Sequence, residues 1–132
     1  MKKVVVAIIE HNIDNIAKYL LVASKKDFGE FTHFYYPPGG HVEEGETIEE
    51  ALRRECVEEL ETEILNPTFL CESAGDVANQ ITYWYKASLL EGVEVTTDTV
   101  ELHDAGFFSI EEMRTMNLWP ATRKIFEEYF SL

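Results

Sequence analysis

Basic residues are scarce in this chain of 132 residues: 11 Lys and Arg stand against 25 Asp and Glu, a formal net charge of −14. A surface that acidic repels nucleic-acid backbone and anionic membrane, so nucleic acid and membrane are excluded as partners. A protein of this charge that handles phosphates does so through bound cations, not a basic patch. Long apolar runs are also missing. Val4 to Ile9 ends at Glu10, too short for the core of a signal peptide, and no stretch reaches membrane-spanning length. The two cysteines, Cys56 and Cys71, form no close pair and read as reduced core thiols. These features point to a cytoplasmic protein. The length suits one domain over residues 1–132.

There is no internal repeat, low-complexity tract or linker. Val4–Glu10 and Tyr19–Ala23 are predicted strands, paired as a hairpin across a turn at His11–Ile16. Phe34–Tyr36 is a short aromatic strand stopped by Pro37-Pro38. Thr47–Glu61 is the clearest helix, with Thr47 and Glu50 spaced as a capping box and Ile48, Leu52, Cys56 and Leu60 forming an apolar stripe. Ile64–Glu72, broken near Pro67, Gln80–Leu90 and Val100–Ser109 are further strands, and Ile110–Met116 and Ala121–Phe130 further helices. The fold class is α+β, a mixed sheet flanked by helices.

Ten carboxylates lie between Glu43 and Glu63, against two basic residues, Arg53 and Arg54. A solvated acidic face should lie opposite the apolar stripe. Here Glu55, Glu58 and Glu59 share an arc of about 100°, and Glu59 falls at the edge of that stripe. Three carboxylates on a half-buried arc repel one another and lose solvation. A hard divalent cation with oxygen ligands offsets both effects, and Mg²⁺ usually brings a phosphate with it. Arg54 can hold one of the carboxylates by a charge-assisted hydrogen bond. Gly39-Gly40, just upstream, allows a tight turn and close backbone approach. The irregular run before the helix lacks the alternating oxygen ligands of an EF-hand loop.

Gly40, Glu46, Arg54, Glu55, Cys56, Glu58 and Glu59 resemble the Nudix box, Gly-x5-Glu-x7-Arg-Glu-(apolar)-x-Glu-Glu-x-Gly-(apolar). The approach Pro38-Gly39-Gly40-His41-Val42-Glu43-Glu44-Gly45-Glu46 looks like the usual lead into that box. Two positions depart from it: Glu61 stands where Gly is expected, and Thr62 where an apolar residue is expected. Glu61 implies a different helix end, one turn longer, with Ile64 supplying the apolar contact.

The resemblance implies the Nudix fold, a mixed β-sheet sandwiched between α-helices. It implies Mg²⁺- or Mn²⁺-dependent hydrolysis of a diphosphate bond in a nucleoside diphosphate linked to another group. Carried over by position, Glu55, Glu58 and Glu59 are the metal ligands, helped by the Gly39 carbonyl. Arg54 orients them, and Gly40 and Glu46 support the motif. The general base is Glu58 or Glu59, or a later carboxylate, for which Glu101 is the candidate and Asp98 and Asp104 the rivals. Trp119 is the expected pocket wall, with Asn117 reading a base edge and His41 facing substrate. The four histidines show no zinc spacing. The favoured substrate is a nucleoside triphosphate, canonical or oxidised, giving monophosphate and pyrophosphate. ADP-ribose, a nucleotide sugar or a dinucleoside polyphosphate is the alternative, and a catalytically silent nucleotide-binding module the alternative of another class. The oligomeric state is monomer or homodimer.

Overall fold

A computed structural model describes residues 1–95 and 101–132. Strand β1 (Lys2–Ile13) is the centre of the architecture. Its run of β-branched residues shows no alternation because both faces are buried. Val5, Ala7 and Ile9 enter one apolar cluster, and Val6 and Ile8 enter the other. The turn to β2 (Ile16–Ser24) is tighter than the sequence reading, with only Asp14 and Asn15 outside the strands. Both have positive φ, 54° and 65°, which Asp and Asn tolerate and a two-residue hairpin of matching twist requires.

The hairpin pairs only near its turn, from Glu10↔Tyr19 to Ile13↔Ile16. Beyond that its two strands take different neighbours. β3 (Tyr35–Tyr36) pairs with β2, while β4 (Gly39–His41) pairs antiparallel with β1, Val5 opposite Gly40. Pro37-Pro38 carries the chain from one to the other. Gly39-Gly40 is therefore strand and not the expected turn. Its glycines serve close approach, as described below.

The other edge of β1 pairs in parallel with β6 (Gln80–Ser88) along nine residues, and β6 pairs antiparallel with β5 (Leu65–Ser73). β7 (Leu102–Ser109) runs antiparallel to β2. The sheet is thus mixed. Tyr83 and Tyr85 of β6 pack towards one apolar cluster and Trp84 into the other, as alternation requires.

One face carries α1 (Ile48–Leu60), which buries Ala51, Leu52, Cys56 and Leu60 against Val5, Ala7 and Ile9. Each large aliphatic side chain so buried contributes about 1.5–3 kcal/mol. The other face carries α2 (Ile110–Met113), shorter than the sequence suggests, and α3 (Pro120–Tyr129), whose Ile125 and Phe126 cover Val6, Ile8 and Leu21. The mixed sheet sandwiched between helices is the expected fold.

Both ends of α1 are well defined. Thr47 accepts from the Glu50 N–H at 3.1 Å, and the Glu50 carboxylate accepts from the Thr47 N–H at 2.8 Å. The expected extra turn at the C-terminus is absent. Glu61 itself enters the left-handed region at φ 54°, ψ 33°, and its N–H bonds to the Val57 carbonyl. A non-glycine residue thus fills the position a glycine normally takes. Ile64 packs into the same cluster as Leu60 and supplies the contact that closes the helix end. Both cysteines are free thiols; Cys56 is buried and Cys71 half-buried.

Candidate active site

The splayed hairpin sets β4 beneath α1, and this brings a glycine pair against a row of carboxylates. A Cβ on Gly39 would run into the backbone carbonyl of Val5, and one on Gly40 would occupy the place of the Glu55 carboxylate. Gly39 thus lets β4 lie close on β1, and Gly40 leaves room for a helix carboxylate over the strand.

Arg54 is the hub of the site. Its Nε and Nη2 clasp both carboxylate oxygens of Glu46, at 2.7 and 2.9 Å. Nη2 also donates to the His41 carbonyl at 3.0 Å. Nη1 donates to Glu55 at 3.0 Å and to Glu58 at 3.2 Å. One guanidinium thus ties the approach loop to the helix through the planar fork that lysine lacks. The Glu43 N–H donates to Glu46 Oε1 at 2.8 Å. The Arg54 fork first, and this N–H second, hold the Glu46 carboxyl down to about 2. The hydrogen bonds to Glu46, and then to Glu55, push Arg54 further up, so its charge is permanent.

Glu59 is placed differently. Burial raises its pKa well above the carboxylate range, and the charge of Glu55 and a hydrogen bond with Glu55 raise it further. The Gly39 N–H donates to Glu59 and opposes the shift. Two carboxyl groups in contact repel one another unless a positive charge lies between them. Burial and the charges of Glu59 and Glu55 also push the Cys56 thiol up to about 12, so it is an inert core group. Glu58 is the outlier, with its side chain 58% exposed against 15% for Glu55. Among the described residues, no three His, Cys, Asp or Glu side chains already close round a common point.

A cavity of about 210 Å³ opens beside this cluster, lined by Gly39, Glu58, Glu59, Tyr36, Val22 and Glu101. The structure therefore brings Glu101 together with two of the helix carboxylates. Asp104 lies elsewhere and accepts a hydrogen bond from the Tyr35 hydroxyl. Asp98 lies outside the described residues.

A second cavity, of about 250 Å³, is apolar. Val4, Val6, Phe28, Trp84, Trp119 and Tyr36 line it, with Asp76 at its edge. Tyr36 lines both cavities and is their common wall. Burial, and then the charges of Glu59 and Glu101, raise its phenol pKa. Trp119 stacks on Phe31 at 4.9 Å. Its backbone N–H donates to the Tyr35 carbonyl, and the Tyr35 backbone N–H donates to the Asn117 carbonyl, which fixes the segment before α3 against β3.

Two expected substrate contacts lie outside both cavities. Asn117 is exposed and engages β3 through its backbone. His41 is exposed on β4 and lines a separate groove with Lys2 and Lys3. Conversely, Tyr36 and Asp76, both set aside by the sequence reading, line the apolar cavity. Tyr36 sits in an aromatic run that reads as sheet, and Asp76 follows a glycine in what reads as a plain turn. Proximity across elements reveals both.

The NUDIX domain family profile matches residues 1–129. No curated protein matches the chain. Among solved structures, a MutT NUDIX hydrolase from Burkholderia pseudomallei is similar, with a TM-score of 0.79, 24% identity and 97% of each chain covered. The NUDIX domain of Shewanella oneidensis NrtR complexed with ADP ribose is similar at a TM-score of 0.78 and 20% identity, over 96% of this chain and 84% of that one. A Caenorhabditis elegans Ap4A hydrolase binary complex gives 0.79 and 18%, over 99% and 96%.

Proposed function

Because the chain belongs to the NUDIX domain family, we propose that it is a Mg²⁺- or Mn²⁺-dependent hydrolase of a nucleoside triphosphate, canonical or oxidised, releasing monophosphate and pyrophosphate. The observation that carries this reading is the pairing of Glu55 and Glu59 under the Gly39-Gly40 cradle. Two hard oxygen donors forced together in a half-buried place form an unfavourable arrangement for a bare protein and a suitable one for a divalent cation. Glu55, Glu58, Glu59 and the Gly39 carbonyl are the groups that would hold it. The cation, when bound, supplies charge neutralisation and Lewis-acid activation of phosphoryl oxygens.

The chain's own residues do the rest. Arg54 fixes Glu55 and Glu58 from one side and is itself held by Glu46, so the ligands keep their orientation. A water oxygen bonds to phosphorus, the bridging P–O bond breaks, and the water proton passes to a carboxylate. Glu58, Glu59 and Glu101 line the cavity where that proton is released. The apolar cavity beyond Tyr36 suits a base stacked against Trp119, at a short reach from the carboxylates.

The test is a substrate panel with Mg²⁺ or with chelator, reading phosphate and pyrophosphate. The panel holds triphosphates, oxidised triphosphates, ADP-ribose, nucleotide sugars and dinucleoside polyphosphates. Metal-dependent pyrophosphate release from a triphosphate is the expected result. Turnover confined to ADP-ribose or a dinucleoside polyphosphate would replace the substrate, and no turnover on any member would favour a silent nucleotide-binding module.

A further inference from the structure

Among the described residues, the apolar cavity has one carboxylate on its lining, Asp76. The residue belongs to the loop between β5 and β6, yet both of its carboxylate oxygens accept from the Ala121 N–H at the start of α3, at 3.0 and 3.2 Å. Trp119, the residue at that helix's N-terminal boundary, makes no side-chain cap of its own. Asp76 therefore caps α3 from another element, and this pins the carboxylate beside the wall that carries Trp119. Val4, Val6, Val77 and Trp84 beside it carry no side-chain acceptor, and the hydroxyls of Tyr36, Thr82 and Thr122 on the same lining donate as well as accept, so Asp76 is the group there that only accepts.

A carboxylate has about four lone-pair sites, and one N–H does not exhaust them. It accepts only, so it favours a partner that presents N–H donors and disfavours one that presents carbonyl oxygens. We infer that Asp76 is a specificity-determining residue that selects nucleobases carrying an exocyclic amino group over counterparts that lack it. The inference rests on the proposed reading for the placement of the base in this cavity. Guanine, cytosine and adenine all present that amino group. Hypoxanthine lacks the one on guanine, and uracil has a carbonyl where cytosine has its amine.

The test reads binding alone, without turnover. Trp84 and Trp119 line the cavity and report on it by fluorescence. The protein is titrated with GMP against IMP and with CMP against UMP, in chelator. The expected result is tighter binding of at least one amino member over the counterpart that lacks the amino group, by about tenfold, as for one hydrogen bond to a charged group at an open edge. Asp76→Asn keeps a carbonyl oxygen for the Ala121 N–H and adds donors, so it should erase or reverse the preference. Equal affinities in the wild type, binding of none of the four, or an unchanged preference in a folded variant overturns the inference. If the variant does not fold, the wild-type GMP and IMP comparison decides. Failure of catalysis leaves this assay untouched, so the two readings fail separately.

Discussion

Replacing Glu61 with glycine should stabilise the protein, although Glu61 lies in the most charged stretch of the chain and touches no ligand group. The residue ends α1 at φ 54°, ψ 33°. For an L-residue that conformation costs about 1–2 kcal/mol. Glycine removes this strain but gives back about 0.5–1 kcal/mol in chain entropy. The substitution also removes a negative charge from a helix C-terminus whose last turn holds no basic residue, worth about 0.3–1 kcal/mol at an exposed site. The net gain is about 1 kcal/mol. For 132 residues the unfolding entropy is about 0.28 kcal/mol per kelvin, so the melting temperature should rise by about 3–4 °C. Urea unfolding monitored by far-ultraviolet circular dichroism measures the same gain as a higher midpoint at unchanged slope. Glu61→Ala serves as the control: it removes the charge, keeps the Cβ, and should recover only the smaller part. Equal stabilisation by alanine and glycine would refute the strain argument, and destabilisation by glycine would refute the whole calculation.

Three further outcomes follow from the site. Gly39→Ala should cost more stability than Gly40→Ala, about 2–3 against about 1 kcal/mol, because one Cβ meets the Val5 backbone and the other only the movable Glu55 carboxylate; urea midpoints measure both, and the reverse order would contradict the packing. Glu46 is held near 2 when folded, against 4.5 unperturbed, so its ionised form stabilises the native state above about 4.5 and that contribution fades as pH falls towards 2. The stability gap between wild type and Glu46→Gln should therefore be full at pH 6 and shrink by pH 3, as read by urea midpoints. Trp119→Ala should raise KM about tenfold with kcat little changed, since one base-stacking surface is lost; a selective fall in kcat would place Trp119 in the chemistry instead.

Much of the helix that carries the chemistry was legible. Thr47 and Glu50 mark its start, the four-residue spacing of Leu52, Cys56 and Leu60 marks its buried side, and the placement of Glu59 at the stripe's edge gives away a carboxylate that solvation does not explain. Helix-local chemistry is readable because the 3.6-residue repeat turns spacing into geometry. The layers were harder. Val4–Ile9 is apolar without a break, so its division between two cores is invisible until helices stand on both faces. The parallel pairing of Val4 with Thr82 leaves no local mark at either end. Gly39-Gly40 read as a turn because glycine pairs usually bend chains; here they are flat strand, needed for room. Tyr36 and Asp76 matter through neighbours far along the chain, Asp76 meeting Ala121 across 45 positions, and no periodicity encodes that.

The central claim is that the Glu55–Glu59 pair exists to hold a divalent cation for diphosphate hydrolysis. Its most direct test is the initial rate on the best substrate of the panel as Mg²⁺ is raised, for wild type and for Glu59→Gln, with folding of both verified by circular dichroism. The expected result is saturable Mg²⁺ dependence in the wild type, with activity in the variant lower by at least about a hundredfold, as when an essential group in a site is removed. Equal rates in the two proteins, or a wild-type rate indifferent to Mg²⁺ and chelator, would contradict it.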